Sequence, residues 1–482
     1  MKNKQLLPLC IIVAVFALLY WLLSFGNHHY FHTYCLDLGV YNNVLYDYGH
    51  GHYDDCSAYL WKPSNTLADH FDLFLLILSP LGFIFGQYTL LIVQIVAVLL
   101  GGIGIYKLIG LYNNPNSPVP LLAMVAFLSF FGVWHALAFD YHSNVVAAML
   151  LPWMLYLLKR ERYPWAVALA LLMSLAKETI PLWLAFVLIA LIIEYRHNRK
   201  ALYWLAGGLA VEIIYFLLVV FLIMPHFGTN DQVLWRYAYM GRGFSSMATF
   251  MLTHPWQTAV NFFTNFTHDP DYDFIKLEFW LACLASGMLL LFRKPHWMLM
   301  ILPVVAQKML ARDAGFWGLT FHYNIELAPV FVAGSFIVIS QIGSQRTRHI
   351  LALCALALTI GTTAYSAGNP LTKIRKENVN LFNKGHFHQY DFNTHNARRL
   401  MEQIPNEASV CATSMFVPHL AMRERVHVFP IGLGYDAEYY LLLKHHWSYY
   451  DGDEAKIEEL ISDTTHYALL SSDEQLVLLQ RK

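Results

Sequence analysis

The sequence predicts an all-α polytopic membrane protein with about 11 transmembrane helices and a small α/β domain at its C-terminal end. The chain is 57% hydrophobic and only 13% charged, with a mean hydropathy of +0.41. These values are typical of polytopic membrane proteins and not of soluble globular ones. Hydropathy then falls after Tyr365 and stays low, which predicts a soluble domain after the last helix.

Long apolar segments are the candidate membrane spans, because a spanning helix needs about 20 mostly apolar residues. They lie at residues 6–25, 88–109, 119–138, 144–158, 164–176, 179–195, 201–224, 276–292, 296–311, 325–342 and 349–366. With the N-terminus inside, every cluster of Lys and Arg between these spans falls on the cytoplasmic side, as such clusters do in known membrane proteins. We therefore expect an integral protein of the plasma membrane, anchored by its first apolar segment, with its C-terminal domain outside the cytoplasm.

This topology divides the chain into a transmembrane domain (residues 1–366) and an extracytoplasmic domain (residues 367–482). The transmembrane domain has a first outer loop at residues 26–87 and a long outer loop at 225–275. The formal net charge is −1 and no basic patch with interleaved aromatic residues is found, so a nucleic-acid partner is not expected.

Two segments of the transmembrane domain need a special interpretation. Residues 165–193 form one apolar stretch that Lys177-Glu178 interrupts, with basic residues at both ends. Basic residues on both flanks require an even number of crossings, which predicts a short helical hairpin with Lys177-Glu178 at its outer turn. Residues 71–87 are apolar but short, with Pro80 and Gly82 within them, and are predicted to lie in the outer membrane interface.

The C-terminal domain has the pattern of a modest α/β module. Short strands are predicted at residues 408–412, 426–429 and 466–470, and helices at 393–403 and 454–462. Cys35 and Cys56 share the first outer loop. A disulfide between them and two free thiols are both compatible with the sequence.

The predicted topology collects many polar and charged residues at the outer boundary of the membrane. They are Asp37, Asp69, His70, Asp72, Asp140, His142, Lys177, Glu178, Arg236, Arg242, Arg312, Asp313, His322 and Tyr323. Each alone could cap a helix or anchor the interface. Their convergence from six loops favours a functional site, because ionisable groups beside apolar helices are costly without a partner or a cavity.

Such a set suits group transfer from a phosphate-linked donor. Asp37 is the candidate general base that takes a proton from an acceptor hydroxyl, with Asp69 and His70 as further catalytic candidates. Arginine and lysine side chains suit the phosphate of the donor. The phosphate-binding candidates are Lys177, Arg236, Arg242 and Arg312.

The remaining outer residues are candidates for binding substrate or a divalent cation such as Mg²⁺ or Mn²⁺. They are Asp72, Asp140, His142, Glu178, His322 and Tyr323. Asp69-His70-x-Asp72 is a weak metal signal, and no cofactor is firmly indicated. A phosphate-binding Gly-rich loop, a zinc-protease motif and a nucleophile elbow are absent from the sequence.

Several motifs in order along the chain resemble the predicted membrane proteins of domain-of-unknown-function family 2079. They are Phe31 with Asp37-Leu38-Gly39-Val40-Tyr41, Asp69-His70-Phe71-Asp72, Leu78-Ser79-Pro80-Leu81, Phe139-Asp140-Tyr141-His142, Ala176-Lys177-Glu178, Phe321-His322-Tyr323-Asn324 with Pro329, Pro418-His419-Leu420-Ala421-Met422-Arg423 and Phe429-Pro430. The resemblance extends from about Phe31 to Pro430.

That family is similar to the C-type (GT-C) integral-membrane glycosyltransferases, which include protein O-mannosyltransferases and aminoarabinose lipid A transferases. The resemblance implies a GT-C-like fold, a membrane-lipid donor in which a sugar is linked to polyprenyl phosphate, and an extracytoplasmic glycan, lipid or protein acceptor. It places Asp37 at the first-loop acidic residue that acts as or near the catalytic base, and Lys177 at a lysine near the donor phosphate. Asp140-Tyr141-His142 departs from the paired acidic motif of many GT-C members.

Two other functions fit parts of the sequence. A lipid or glycan transporter or flippase would use the polar residues for translocation, although such residues tend to lie near the bilayer midplane on paired repeats, and no repeat is evident here. A membrane-anchored assembly or sensor protein would act through the C-terminal domain. Five of its histidines, at 386, 388, 395, 419 and 427, could bind a metal, but they follow no metal-ligand spacing.

Overall fold

The computed structural model describes residues 5–53, 56–59, 65–228, 236–241, 243–372, 376–445 and 453–482. Within them the chain is an integral-membrane bundle of apolar helices followed by a small mixed sheet. Helices suit the bilayer because they satisfy every backbone polar group internally. Each predicted span coincides with a helix. These helices are Leu6–His29, Thr89–Gly110, Val119–Ala138, Ser143–Lys159, Tyr163–Ser174, Ile180–Glu194, Arg199–Phe227, Pro270–Leu291, Met298–Met309, Leu327–Ser340 and Gln345–Gly368.

Six of these helices are long and apolar enough to cross a membrane, and the others are shorter. The shorter helices include both arms of the predicted hairpin, Tyr163–Ser174 and Ile180–Glu194, which a tight turn joins. The predicted interfacial segment is also a distinct helix, Phe74–Phe85. It ends at Gly86, whose φ of +54° is a left-handed conformation that glycine adopts without steric cost.

Contacts between loops place the basic loops together at one end of the bundle. The side chain of Gln5 donates to the Ser117 carbonyl at 2.6 Å, and the Lys159 ammonium lies 4.7 Å from the centre of the Tyr112 ring. Lys294 pairs with Glu194 at 2.6 Å. The hairpin turn and the other acidic loops lie at the opposite end, where the candidate site is found.

Gly132 shows how closely the helices pack near that opposite end. A Cβ atom at Gly132 would overlap with the backbone carbonyl of Asn324, and backbone cannot move aside as a side-chain tip can. Gly132→Ala is therefore expected to lower the free energy of unfolding by about 1–3 kcal/mol. A lower melting temperature of the purified protein would show this. The matched control is Gly207→Ala, because open space surrounds Gly207 and alanine favours helix. Equal melting temperatures for the two variants would contradict the overlap.

The C-terminal sheet has five strands, β1 (Val410–Ala412), β2 (Val426–Val428), β3 (Tyr439–Leu443), β4 (Tyr467–Ser472) and β5 (Leu476–Arg481). Their order is β2-β1-β3-β5-β4. Strand β1 is parallel to β2 and β3, whereas β5 is antiparallel to β3 and β4.

The α/β character of this module and strands β1, β2 and β4 agree with the sequence prediction, as do helices Thr394–Met401 and Asp453–Ser462. Strands β3 and β5 were not predicted. Both are central in the sheet and buried over most of their length, so they have apolar runs without the alternation that marks a half-exposed strand.

The C-terminal module and the first loop share one hydrophobic core. Phe31, Leu38 and Val44 of the loop region pack in the same cluster as Phe416 and Val426. Polar contacts reinforce the packing, since the amide of Asn43 donates to the Arg423 carbonyl at 2.8 Å and the Cys35 N–H donates to the Ser414 hydroxyl at 3.1 Å. The Arg423 guanidinium in turn donates to the carbonyls of Leu420, Pro405 and Ala408. The Pro418–Arg423 motif thus fixes the module against the loop that carries Asp37.

Cys35 and Cys56 are both buried, and no disulfide joins them. The Cys56 thiol lies 3.3 Å from the Asn43 amide oxygen, and the Cys35 thiol lies 3.5 Å from the Ala58 carbonyl. Of the two alternatives that the sequence left open, the structure therefore has two thiols in separate polar contacts.

Candidate active site at the acidic end of the bundle

Asp37 lies on a tight loop between the first helix and helix Val40–Gly49. Its φ of +74° is in the left-handed region, and such strained conformations persist only where surrounding structure holds them. The Asp140 carboxylate provides that support, because one of its oxygens accepts from the N–H groups of Tyr34 and Leu38, both at 3.4 Å. Asp140 itself has a φ of +49°. The Asp140 carboxyl group thus holds the backbone on both sides of Asp37.

The carboxylate of Asp37 faces a stack of aromatic rings. Its Oδ1 lies 3.3 Å from Nε2 of His142, and its side chain is 22% exposed while that of His142 is buried. The His142 ring stacks on His322, with ring centres 3.4 Å apart, and on Phe139. His322 in turn contacts the ring of Tyr323. This stack brings together three loops that are far apart in the sequence.

The electrostatic environment keeps Asp37 ionised. Burial raises the pKa of its carboxyl group, but the contact with His142 and the charge of Lys177 outweigh burial and hold the pKa below its ordinary value. Burial lowers the pKa of His142 and lowers that of His322 further. The site therefore presents an accessible carboxylate beside two neutral imidazoles at neutral pH.

Asp140 has the opposite character. Burial and the nearby charge of Asp37 raise its pKa well above the ordinary value. Gln94 joins it to the histidine stack, since its amide donates to the Asp140 carbonyl at 2.9 Å and accepts from the His142 N–H at 3.0 Å. Gln94 was not among the predicted site residues. Its position as a polar residue in the apolar run 89–105 was the signal that could have identified it.

The hairpin turn brings Lys177 and Glu178 to the same region. Glu178 accepts from the Phe71 N–H at 3.2 Å and lies 3.3 Å from Nδ1 of His70. Burial and the charge of Lys177 lower the pKa of His70, whereas the charges of Asp69 and Glu178 raise it. The raising effects are larger, so the pKa of His70 lies above its ordinary value. Burial raises the pKa of Glu178, but His70 and Lys177 bring it below its ordinary value.

Lys177 differs from the other charged groups of this region. Among the residues that the structure describes, its ammonium makes no ion pair and no hydrogen bond. Its charge nevertheless affects the pKa values of Asp37, His142 and His322. Lys177 is thus a cation of this acidic cluster whose ammonium has no direct partner among those residues.

Asp72 supports the fold of this region. One oxygen of its carboxyl group accepts from the N–H groups of Phe74 at 2.9 Å and Leu75 at 3.4 Å, which caps the start of helix Phe74–Phe85. Burial raises its pKa from 3.8 to about 7. Between pH 4 and pH 7 the folded protein therefore binds a proton at Asp72 that the unfolded chain does not bind. The stability that this group contributes is fully present below pH 4 and is lost as the pH rises through 7.

Asp72→Asn is expected to flatten the pH dependence of the melting temperature between pH 5 and 8. The amide retains an oxygen that can accept from Phe74 and Leu75 but cannot titrate. Thermal melts of both proteins across this range measure the effect. Parallel curves for the wild type and the variant would contradict the raised pKa of Asp72.

The arginine candidates lie on the flank of the ring stack. The Arg236 guanidinium lies 4.6 Å from the centre of the Phe316 ring, which stacks on Tyr323 at 4.0 Å. Arg312 is exposed, and its N–H donates to the Arg236 carbonyl at 2.8 Å. Arg242 lies outside the described residues. The structure thus connects Arg236 to the site through two aromatic rings.

Two buried groups that the sequence analysis missed shape the loop after Met298–Met309. The Lys308 ammonium donates to the carbonyls of Phe316 at 2.5 Å and Gly318 at 3.1 Å, which fixes the backbone just before His322. Glu326 accepts from the Asn144 amide at 2.8 Å. Both residues lie at helix ends, where the sequence offered no means to tell a buried polar group from an exposed one.

The described part of the chain contains no group of three or more His, Cys, Asp and Glu side chains placed to hold a metal ion. Asp69 and His70 are within ion-pair distance at 3.9 Å, whereas Asp72 points to a helix N-terminus. The Asp69-His70-x-Asp72 motif therefore does not form a ligand set.

Together the helical bundle, the hairpin turn and the first-loop carboxylate define an integral-membrane protein of GT-C-like fold. The chain has the fold of ArnT from Cupriavidus metallidurans, a crystal structure bound to undecaprenyl phosphate. The TM-score is 0.54 at 11% identity, covering 98% of this chain and 97% of that one.

The family model of the predicted membrane proteins DUF2079 matches residues 27–478, and the chain belongs to that family. Two structures of the oligosaccharyltransferase of Archaeoglobus fulgidus are also similar. The apo form has a TM-score of 0.41 at 12% identity, covering 91% of this chain and 70% of that one. The complex of AglB with an inhibitory peptide and a dolichol-phosphate has a TM-score of 0.42 at 12% identity, covering 92% and 70%. No curated protein matches the chain.

Proposed function

We propose that the protein is an integral-membrane glycosyltransferase that moves a sugar from a polyprenyl-phosphate donor to an extracytoplasmic acceptor. The observation that carries this proposal is that the partly exposed carboxylate of Asp37 and the ammonium of Lys177, which makes no ion pair among the described residues, belong to one cluster. A carboxylate can take a proton from a nucleophile, and an ammonium can hold a phosphate. The shared fold with ArnT, which was crystallised with undecaprenyl phosphate, adds support.

The reaction that we propose is a single displacement. The acceptor oxygen or nitrogen attacks the anomeric carbon and forms the new glycosidic bond while the bond from that carbon to the phosphate oxygen breaks. The acceptor's proton goes to the Asp37 carboxylate, and the bonding electrons leave with polyprenyl phosphate. Lys177 would hold the phosphate group of the donor before and after the bond breaks, with Arg236 and His70 as further cations.

His142 and Asp140 act as positioning residues in this scheme. His142 holds the Asp37 carboxylate from one side, while Asp140 holds the backbone of its loop. A base held by its neighbours loses less entropy when the acceptor binds. Activity with and without EDTA tests whether Mg²⁺ or Mn²⁺ takes part.

The proposal also requires the acidic end of the bundle to face outward in the plasma membrane, with the N-terminus in the cytoplasm and residues 367–482 outside. The gathering of basic loops at the opposite end supports this orientation. Membrane-impermeant labelling of an exposed cysteine introduced at Asp436 tests it on intact cells. Labelling of that cysteine only after permeabilisation would reverse the orientation.

A structure of the protein in lipid nanodiscs with undecaprenyl phosphate tests the site directly. We expect density for the phosphate in contact with the Lys177 ammonium, next to Asp37. A phosphate bound elsewhere, or a continuous polar path across the bilayer, would contradict the transferase and favour the alternative of a lipid or glycan transporter.

A further inference from the structure

A groove of 520 Å³ opens on the flank of the bundle, between helices Pro270–Leu291 and Gln345–Gly368. None of the residues around Asp37 lines it. Its walls are almost entirely apolar, and several of its side chains are exposed. Those that are at least 44% exposed are Phe274, Leu277, Leu281, Leu358, Tyr365 and Leu371. In a membrane protein such a surface faces the lipid.

One ionisable side chain interrupts this apolar lining. Glu278 is only 8% exposed, and one of its oxygens accepts from the Tyr365 hydroxyl at 2.8 Å and from the Leu371 N–H at 2.9 Å. Its other oxygen, Oε2, is buried and has no hydrogen-bond partner among the described residues. Burying a carboxylate oxygen without a donor is costly, and an ionisable group on a membrane helix indicates a functional partner.

The groove has a polar end and an apolar end, as an amphiphilic ligand does, and Glu278 marks the polar end. Glu278 lies three residues after Ile275, where the regular α-helix begins, and Tyr365 lies three residues before the helix end at Gly368. Both are at the same end as the candidate site, where Thr372 packs against Gly318. Ala285 and Leu358 lie seven residues deeper on the two helices, about 10 Å along each axis. The groove is therefore polar at the membrane boundary and apolar towards the interior.

We propose that this groove binds a phospholipid whose headgroup carries a primary ammonium, with Glu278 Oε2 as the acceptor and one acyl chain along the apolar wall. Among the described residues Glu278 Oε2 is a free acceptor at this boundary, and an ammonium, which only donates and carries the opposite charge to a carboxylate, is its chemical complement. A carboxyl group at this position disfavours a carrier lipid that ends in a phosphate. This site is thus separate from the proposed donor site, and its test does not depend on sugar transfer.

The test measures lipid retention in detergent-purified protein by native mass spectrometry, after incubation with equal amounts of phosphatidylethanolamine and phosphatidylglycerol of the same acyl chains. We expect the wild type to retain the ethanolamine lipid in preference, by about tenfold or more, as for a hydrogen bond to a charged group. Glu278→Gln should abolish the preference because the amide keeps the shape and loses the charge.

A second pair of variants separates the groove from the headgroup contact. Gly361 lines the groove, and a Cβ atom there meets open space, so Gly361→Phe should fill the groove and release the lipid without disturbing the helix. Gly207→Phe is the matched control, because Gly207 is also exposed on a membrane helix with open space around it. Equal retention of the two lipids by the wild type, or unchanged retention in Gly361→Phe, would overturn the proposal.

Discussion

Asp37→Asn is expected to reduce sugar transfer by about 10²–10⁴-fold, the usual contribution of a general base. The amide has the same shape as the carboxylate but cannot take the acceptor's proton. Aspartate and asparagine differ only in the group at the end of the side chain, so the backbone with φ of +74° and ψ of −94° meets the same side-chain shape and the melting temperature should stay close to that of the wild type. The measurement is transfer of a radiolabelled sugar from polyprenyl phosphate by purified protein in liposomes.

Asp436→Asn provides a matched control for this experiment. Asp436 also has a positive φ, of +51°, but it is exposed in the C-terminal module, where it pairs with Arg481 at 3.1 Å. The same substitution at this other aspartate of positive φ should leave transfer unchanged. Wild-type rates from a well-folded Asp37→Asn protein would assign Asp37 a structural role and remove the general base from the proposal.

Lys177→Ala is expected to weaken binding of the lipid-linked donor by about 10–100-fold, the range for losing one hydrogen bond to a charged group. The loss should appear mainly in the KM for the donor and in the Kd for undecaprenyl phosphate, because the phosphate is present before and after the reaction. Lys177→Arg should recover part of the affinity, since the charge remains.

Lys107→Ala is the control for general electrostatic effects, because Lys107 is an exposed lysine near the basic end of the bundle. It should bind the donor as the wild type does. If Lys177→Ala bound undecaprenyl phosphate with unchanged affinity, Lys177 would not belong to the phosphate site, even if Asp37→Asn were inactive.

The sequence was informative about helices and about which residues share an end of the bundle. Apolar runs and the charge of the loops are local properties, and they predicted the hairpin at Lys177-Glu178. Contacts within the site were not predictable in this way. The approach of His142 to Asp37 and its stacking on His322 join segments more than 100 residues apart, and only the packing of the whole bundle determines them.

The role of Asp140 shows the same limit. Its motif suggested a substrate or cation ligand, whereas in the structure its carboxyl group accepts hydrogen bonds from the loop of Asp37. Nothing in a sequence tells whether a carboxylate faces a ligand or a backbone N–H. Likewise, Asp72 lies in a metal-like motif but caps a helix.

The core shared by the first loop and the C-terminal module has a consequence for biosynthesis. The segment with Phe31 and Leu38 leaves the ribosome well before its packing partners Phe416 and Val426, because the whole helical bundle lies between them in the sequence. During translation the apolar side of that loop therefore has no partner while the intervening helices insert. A chain that stops before residue 410 would insert its helices yet leave this surface exposed, which would make it a substrate for membrane proteases.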